Sequence, residues 1–168
     1  MCEMRIALTN LGMYNEGTLN YVWLDLPATA EEIEAAKDEI NINGHYEEWF
    51  ITDYECDFMK VGEFDNLEEL NEIAQTLEDL DEWERDIVKA LIDEGYNLDE
   101  AIETAPDCMV YEDCDSMADV AFQMYEEGLL GDIPEHLINY IDWDAFGRDL
   151  SLDGDWIATE NGYIEVLR

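Results

Sequence analysis

Asp149, Ser151, Asp153, Gly154 and Glu160, in the stretch DLSLDGDWIATE, fall at positions 1, 3, 5, 6 and 12 of a calcium-loop pattern. Such a loop holds a hard cation in carboxylate and hydroxyl oxygens, and it needs a helix on its far side. Here Asn161-Gly162 turns the chain within two residues of Glu160, where that helix should begin. A chain this rich in acids also generates the pattern by chance. Calcium binding is not expected.

The other chemistry-bearing residues are no more specific. DYECD (Asp53 to Asp57) and YEDCD (Tyr111 to Asp115) resemble each other. They fit weak oxygen-and-sulfur metal sites, traces of a repeat, or two acidic loop edges, and the last is the preferred reading. His45 and His136 pair with no Cys or Ser in a nucleophile motif and read as exposed polar residues. Neighbouring carboxylates fit for acid–base work carry no information among 45 Asp and Glu, because pairs are guaranteed. No glycine-rich phosphate loop is present. The expectation is no catalytic residue, no metal site and no cofactor. Cys2, Cys56, Cys108 and Cys114 form no CxxC pair and read as free thiols of a cytosolic protein, with a disulfide as the alternative. No signal peptide or apolar run of membrane-spanning length is seen.

What remains is the acid itself. The 168 residues carry 45 acids against 7 Lys and Arg, a formal net charge of -38. Val61 to Glu84 holds ten acids and Ala90 to Gly147 holds sixteen, with no Lys or Arg in either. At 48% hydrophobic and 11% aromatic the chain is too apolar for a disordered acidic tail. Unpaired like charge raises the energy of a compact state. Either solvation or salt adaptation explains the tolerance, or the negative field is the function. Binding to nucleic acid or to an anionic membrane is disfavoured, because both need basic patches. A basic protein surface is the expected partner. At about two charges per base pair, one chain matches roughly 19 base pairs of duplex, and a dimer roughly 38, or about 130 Å.

The elements that carry these acids read as mixed α+β. Met4 to Leu8, Leu19 to Leu26 and Glu47 to Tyr54 read as strands, and Asn10 to Gly17 as a turn. Thr29 with Glu32 forms a capping box ahead of an Ile33, Ala36, Ile40 stripe. Asn66 caps a helix with Leu67, Leu70, Ile73, Leu77 and Leu80 on one face; Trp83 to Leu91 gives a second helix, and Asn97 caps a third. Beyond Pro106, Met109 to Tyr111 reads as a strand and Asp115 as the cap of a helix. Pro134 opens another helix and Asp142 to Leu150 a further one. Trp156 to Leu167 reads as a hairpin turning at Asn161-Gly162. The expected organisation is three small domains in an elongated row: 1–61 α+β, 62–105 helical, and 106–168 α+β with the hairpin.

Several stretches, in order, resemble the ArdA-type antirestriction proteins. They are IALTNLGMYNEG with Trp23 after it, YEDCDSMADVA, AFGRDLSLDG, and LLGDIPEHLINYID, which is similar to the family's antirestriction motif. The resemblance covers most of the chain and is faintest from Glu63 to Asp86. It implies a DNA mimic: an elongated three-domain protein that dimerises through its C-terminal domain and sets carboxylates like the phosphates of bent DNA. Such a protein occupies the DNA groove of type I restriction-modification enzymes, at their methyltransferase and specificity subunits, and blocks restriction and usually modification. It is carried on mobile genetic elements and acts in the bacterial cytoplasm.

On that basis the phosphate-mimic acids are expected, collectively, at Glu47, Glu48, Asp53, Glu55, Asp57, Glu63, Asp65, Glu68, Glu69, Glu72, Glu78, Asp79, Asp81, Glu82, Glu84 and Asp86. The motif and dimer contact is expected at Leu129, Leu130, Gly131, Ile133, Pro134, Leu137, Tyr140, Ile141 and Asp142. That apolar stretch reads equally as a helix buried in the C-terminal core. The rival functions are an acidic chaperone or adaptor for other basic proteins, a salt-adapted globular protein, and a calcium-binding or hydrolytic protein.

Overall fold

The computed structural model describes residues 4–167. They are mixed α+β, with eight α-helices and two three-stranded antiparallel sheets among the described residues. The chain divides into two compact units, Met1–Arg85 and Asp86–Arg168.

In the first unit, β1 (Met4–Asn10) is the central strand, with β2 (Tyr21–Leu26) and β3 (Trp49–Cys56) on either side. The period-two alternation of β1 sends Met4, Ile6 and Leu8 to one face, where they are fully buried. They pack with Leu24, Leu26, Ala36, Ile40, Leu67, Leu70 and Ala74, so the sheet is covered by α2 (Ala30–Glu39) and α3 (Leu67–Asp79). The expected turn at Asn10 to Gly17 contains instead a one-turn helix, α1 (Leu11–Asn15). Buried Asn10 makes it: its side-chain oxygen accepts from the Met13 N–H at 2.9 Å, while its Nδ2 donates to the Ile40 carbonyl at 2.8 Å. The third strand begins at Trp49 and runs on to Cys56, because β1 offers it a partner as far as Met4.

Helix starts agree closely with the sequence. Thr29 and Glu32 form the capping box of α2. Asn66 accepts from the Glu68 and Glu69 N–H groups at the start of α3. The unit boundary falls inside α4 (Glu82–Asp93). Asn97 and Glu100 close a second box at α5 (Leu98–Thr104).

In the second unit, β4 (Cys108–Glu112), β5 (Asp155–Thr159) and β6 (Gly162–Val166) form a sheet with β6 in the centre. Hairpin β5–β6 turns at Glu160-Asn161, one residue before the expected Asn161-Gly162, because Gly162 already pairs in β6 with Thr159 and Glu112; there Gly162 (φ +150°) lies against the Tyr111 carbonyl, leaving no room for a side chain. Helix α6 (Met117–Glu126) covers one face with Tyr111, Cys114 and Val120, packed by Met109, Met124, Trp156 and Tyr163. Its cap is Ser116, one residue beyond the expected Asp115, because Asp119 stands three residues on and completes a box with it. The one-turn α7 (Glu135–Ile138) and then α8 (Trp143–Asp153) complete the helices; Pro134 precedes the first without a side-chain cap, and the Asp142 carboxylate accepts from the Ala145 N–H at the second. Among the described residues no helix is long and apolar enough to cross a membrane.

Candidate interaction surfaces

The acids of the first unit are set outward by the same apolar residues that build its core. On α3, Leu67, Leu70, Ala74 and Leu77 are buried, and that stripe turns Glu68, Glu69, Glu72, Glu78 and Asp79 to solvent. On β3 the alternation does the same for Asp53 and Glu55. Of the sixteen acids named from sequence, all but Asp65 and Glu84 are exposed. Those two are drawn into local turns: Asp65 accepts from the Gly62 N–H at 2.6 Å, and Glu84 from the Asp81 N–H at 2.9 Å. Their charge remains, but their position is fixed by the backbone.

Arg5 and Lys37 stand among the acids of this unit. Arg5 lies between Asp25 and Glu55, its Nε 3.2 Å from Asp25 Oδ1 without hydrogen-bond alignment and its Nη1 3.6 Å from Glu55 Oε2. Its guanidinium stacks 4.8 Å from the Trp23 ring centroid. Lys37 pairs with Glu34 at 3.0 Å. Glu55 is thus partly neutralised.

In the second unit the stretch Leu129 to Asp142 is not the buried helix that its apolar spacing also allowed. None of its residues is buried. Gly128 (φ +77°) ends α6 with its N–H on the Tyr125 carbonyl at 3.0 Å, and Gly131 (φ +78°) turns the chain again. Left-handed backbone of this kind favours glycine and breaks the helix that the apolar spacing suggested. The stretch then forms only the single turn α7. Leu129, Leu137 and Tyr140 are exposed by 49%, 44% and 85%, so it presents apolar groups to solvent.

An aromatic cluster adjoins it that the sequence reading missed. Phe122 and Trp143 meet edge to face at 5.3 Å, and Tyr125 lies 5.8 Å from each. The signal was present: Phe122 and Tyr125 sit one turn apart on α6, off the stripe marked by buried Val120 and Ala121. Exposed Leu152 and Phe64 were missed as well.

The candidate metal patterns do not assemble. Asp149, Ser151 and Asp153 lie in α8, Gly154 ends it, and the next residues are strand β5, so no loop forms between helices. DYEC lies in strand β3 rather than at a loop edge, because it pairs with β1 there. YEDCD spans the end of β4 and a turn in which Asp113 adopts φ +58°. No group of three or more His, Cys, Asp or Glu is arranged to hold a metal ion among the described residues. His45 and His136 are exposed. Cys56, Cys108 and Cys114 are free thiols, and Cys2 lies outside the described residues. Burial, and then Asp107, pushes the Cys108 thiol up; burial, and then Asp119 and neighbouring carboxylates, does the same to Cys114.

Comparison with known proteins gives one family. A family model described as "Antirestriction protein (ArdA)" matches residues 6–165, nearly the whole chain. No curated protein matches it.

Proposed function

The chain belongs to the ArdA antirestriction protein family, and from that premise we propose that it acts as a decoy for DNA, occupying the DNA-binding groove of type I restriction-modification enzymes and blocking restriction and modification. The observation that carries this reading is the exposed acid ridge of α3. Five acids stand along its 13 residues with no Lys or Arg. At about 1.5 Å rise per residue that is one charge per roughly 4 Å, close to the roughly 3.4 Å per phosphate along one DNA strand. The acids from Glu47 to Asp57 and from Glu63 to Asp86 extend the field.

The mechanism is competitive and non-covalent. A basic groove releases condensed counterions when a polyanion enters, and carboxylates on a rigid scaffold draw on the same electrostatics. The contacts fall on the methyltransferase and specificity subunits, where the enzyme holds its DNA. A dimer doubles the length of the mimic. We assign its contact to Leu129–Asp142, extended by Phe122, Tyr125 and Trp143, because apolar burial there offsets the repulsion between two chains of charge -38. In this reading the chain works as three regions, 1–61, 62–105 and 106–168, and it acts in the bacterial cytoplasm on behalf of a mobile genetic element.

The deciding experiment is competition between the purified protein and DNA for a type I restriction-modification enzyme, at low and physiological salt. Competition that weakens steeply with salt is expected. No competition at any salt, from folded protein, would overturn the reading and favour an acidic adaptor for other basic proteins.

A further inference from the structure

The first unit carries a groove of about 650 Å³ between α2 and the start of α3, and nothing in the distributed-charge mechanism uses it. Ile33, Trp49, Phe64 and Leu67 give its wall an apolar part. Phe64 is 72% exposed, among the most exposed large apolar side chains of the described residues. The ring is nevertheless fixed. It stacks on Phe50 with centroids 6.0 Å apart, and its neighbour Glu63 accepts from the Ile51 N–H at 2.8 Å through its carbonyl. Asp65, on the other side, is held by the Gly62 N–H. A preorganised, solvent-facing aromatic at a partly apolar groove has the character of an interface anchor.

The charges around it say what would dock. Glu34, Asp65 and Glu68 line the groove against a single cation, Lys37, whose ammonium is tied to Glu34. The groove therefore repels an acidic segment and attracts one in which an apolar side chain is flanked by Lys or Arg. We propose that this groove takes such a basic-apolar segment of the restriction enzyme, giving a second contact whose strength does not come from charge. The assignment rests on the decoy reading for the identity of the partner. Its physical consequence is separate: apolar burial is not screened by salt, whereas the carboxylate field is.

Two measurements test it. The first uses a short peptide with Leu and Phe between Lys and Arg residues, and a control with both apolar residues replaced by Ser, monitored by NMR on the intact protein. The apolar peptide is expected to shift the Trp49 indole N–H and the backbone of Phe64 to Glu68 at about 0.3 M salt, where surface charge is screened to within a few ångströms. The Ser control should lose its effect there, and Phe64→Ser should abolish the shifts. Equal shifts from both peptides, or the same shifts from protein concentration alone, which would mean a second copy as occupant, overturn the proposal. The second measures competition for the enzyme by Phe64→Ser. It should weaken about tenfold, the size of one interface anchor, with an unchanged salt slope; wild-type competition by this variant overturns the groove contact while leaving the decoy reading intact. If the wild-type protein does not compete at all, the decoy reading fails, and the peptide measurement still decides the groove.

Discussion

A Cβ on Gly147 would lie 2.5 Å from the carbonyl carbon of Met117 and 2.6 Å from the Ala118 nitrogen, so α6 and α8 meet backbone to backbone at that point. Gly147 is buried there, with no side chain between the helices. Neither backbone can yield without moving its whole helix. Gly147→Ala should therefore destabilise the second unit by about 1–3 kcal/mol, or more if the helices separate. Urea unfolding monitored by tryptophan fluorescence measures this, and an unchanged midpoint would show that the close approach is not rigid.

Buried Asn10 satisfies two backbone groups at once, the Met13 N–H and the Ile40 carbonyl. Asn10→Ala leaves both without that partner in a dry site. A loss of about 1–3 kcal/mol is expected, with amide exchange accelerating first in α1. Stability equal to wild type would mean that water replaces the side chain.

Tyr111 is a pH-dependent element of the second core. Burial, then the charge of Glu165 and its hydrogen bond from the Tyr111 hydroxyl, push the phenol up to about 12 from the usual 10.0. The fold thus favours the protonated phenol. The stability linked to this group is fully present below pH 10 and is lost as pH rises from 10 through about 12. Tyr111→Phe should flatten that part of the alkaline unfolding profile relative to wild type. Parallel profiles would show that Tyr111 ionises as freely folded as unfolded.

Leu137 and Tyr140 are exposed, so changing them should spare the single chain. The double variant Leu137→Asp, Tyr140→Asp is expected to run as a monomer in light scattering with an unchanged far-UV spectrum. A dimer of undiminished stability would place the self-contact elsewhere.

Because the field is distributed, Glu72→Gln alone should lower competition with DNA less than about twofold. Changing all five α3 acids to amides should lower it about tenfold or more and make its salt dependence shallower. Complete loss from the single change would point to one specific contact instead of a field.

The sequence revealed elements better than surfaces, for a local reason. The caps at Thr29, Asn66 and Asn97 are short-range hydrogen bonds between residues two or three apart, and each is present as read. Alternation placed Met4, Ile6 and Leu8 in the core, and Asn-Gly marked the final hairpin but with its turn one residue too late. The misses needed three dimensions. Asn10 reads as a turn former until Ile40, thirty residues on, supplies its second partner. Leu129 to Asp142 reads equally as a core helix or a contact surface, because its apolar spacing is helical; the positive-φ glycines on and beside it rule out the buried helix. Phe122, Tyr125 and Trp143 look like core residues by type; only the position of the buried stripe shows them at the surface. The acids were the easiest to place, since among so many a carboxylate faces water almost by default.

The capping boxes have a consequence for how such a sequence can change over generations. Glu32, Glu100 and Asp119 close the starts of α2, α5 and α6 on backbone N–H groups, so the carboxylates that secure these helices have the same sign as the field around them. Thr29, through its N–H and then its hydroxyl, holds the Glu32 carboxyl below its usual range. Architecture and charge pull in one direction here. Exchanges between Asp and Glu elsewhere on the surface alter neither, and lineages are free to wander widely in sequence while fold and charge persist. Drift of that kind would leave recognisable caps, glycine turns and apolar stripes long after most individual acids had changed places.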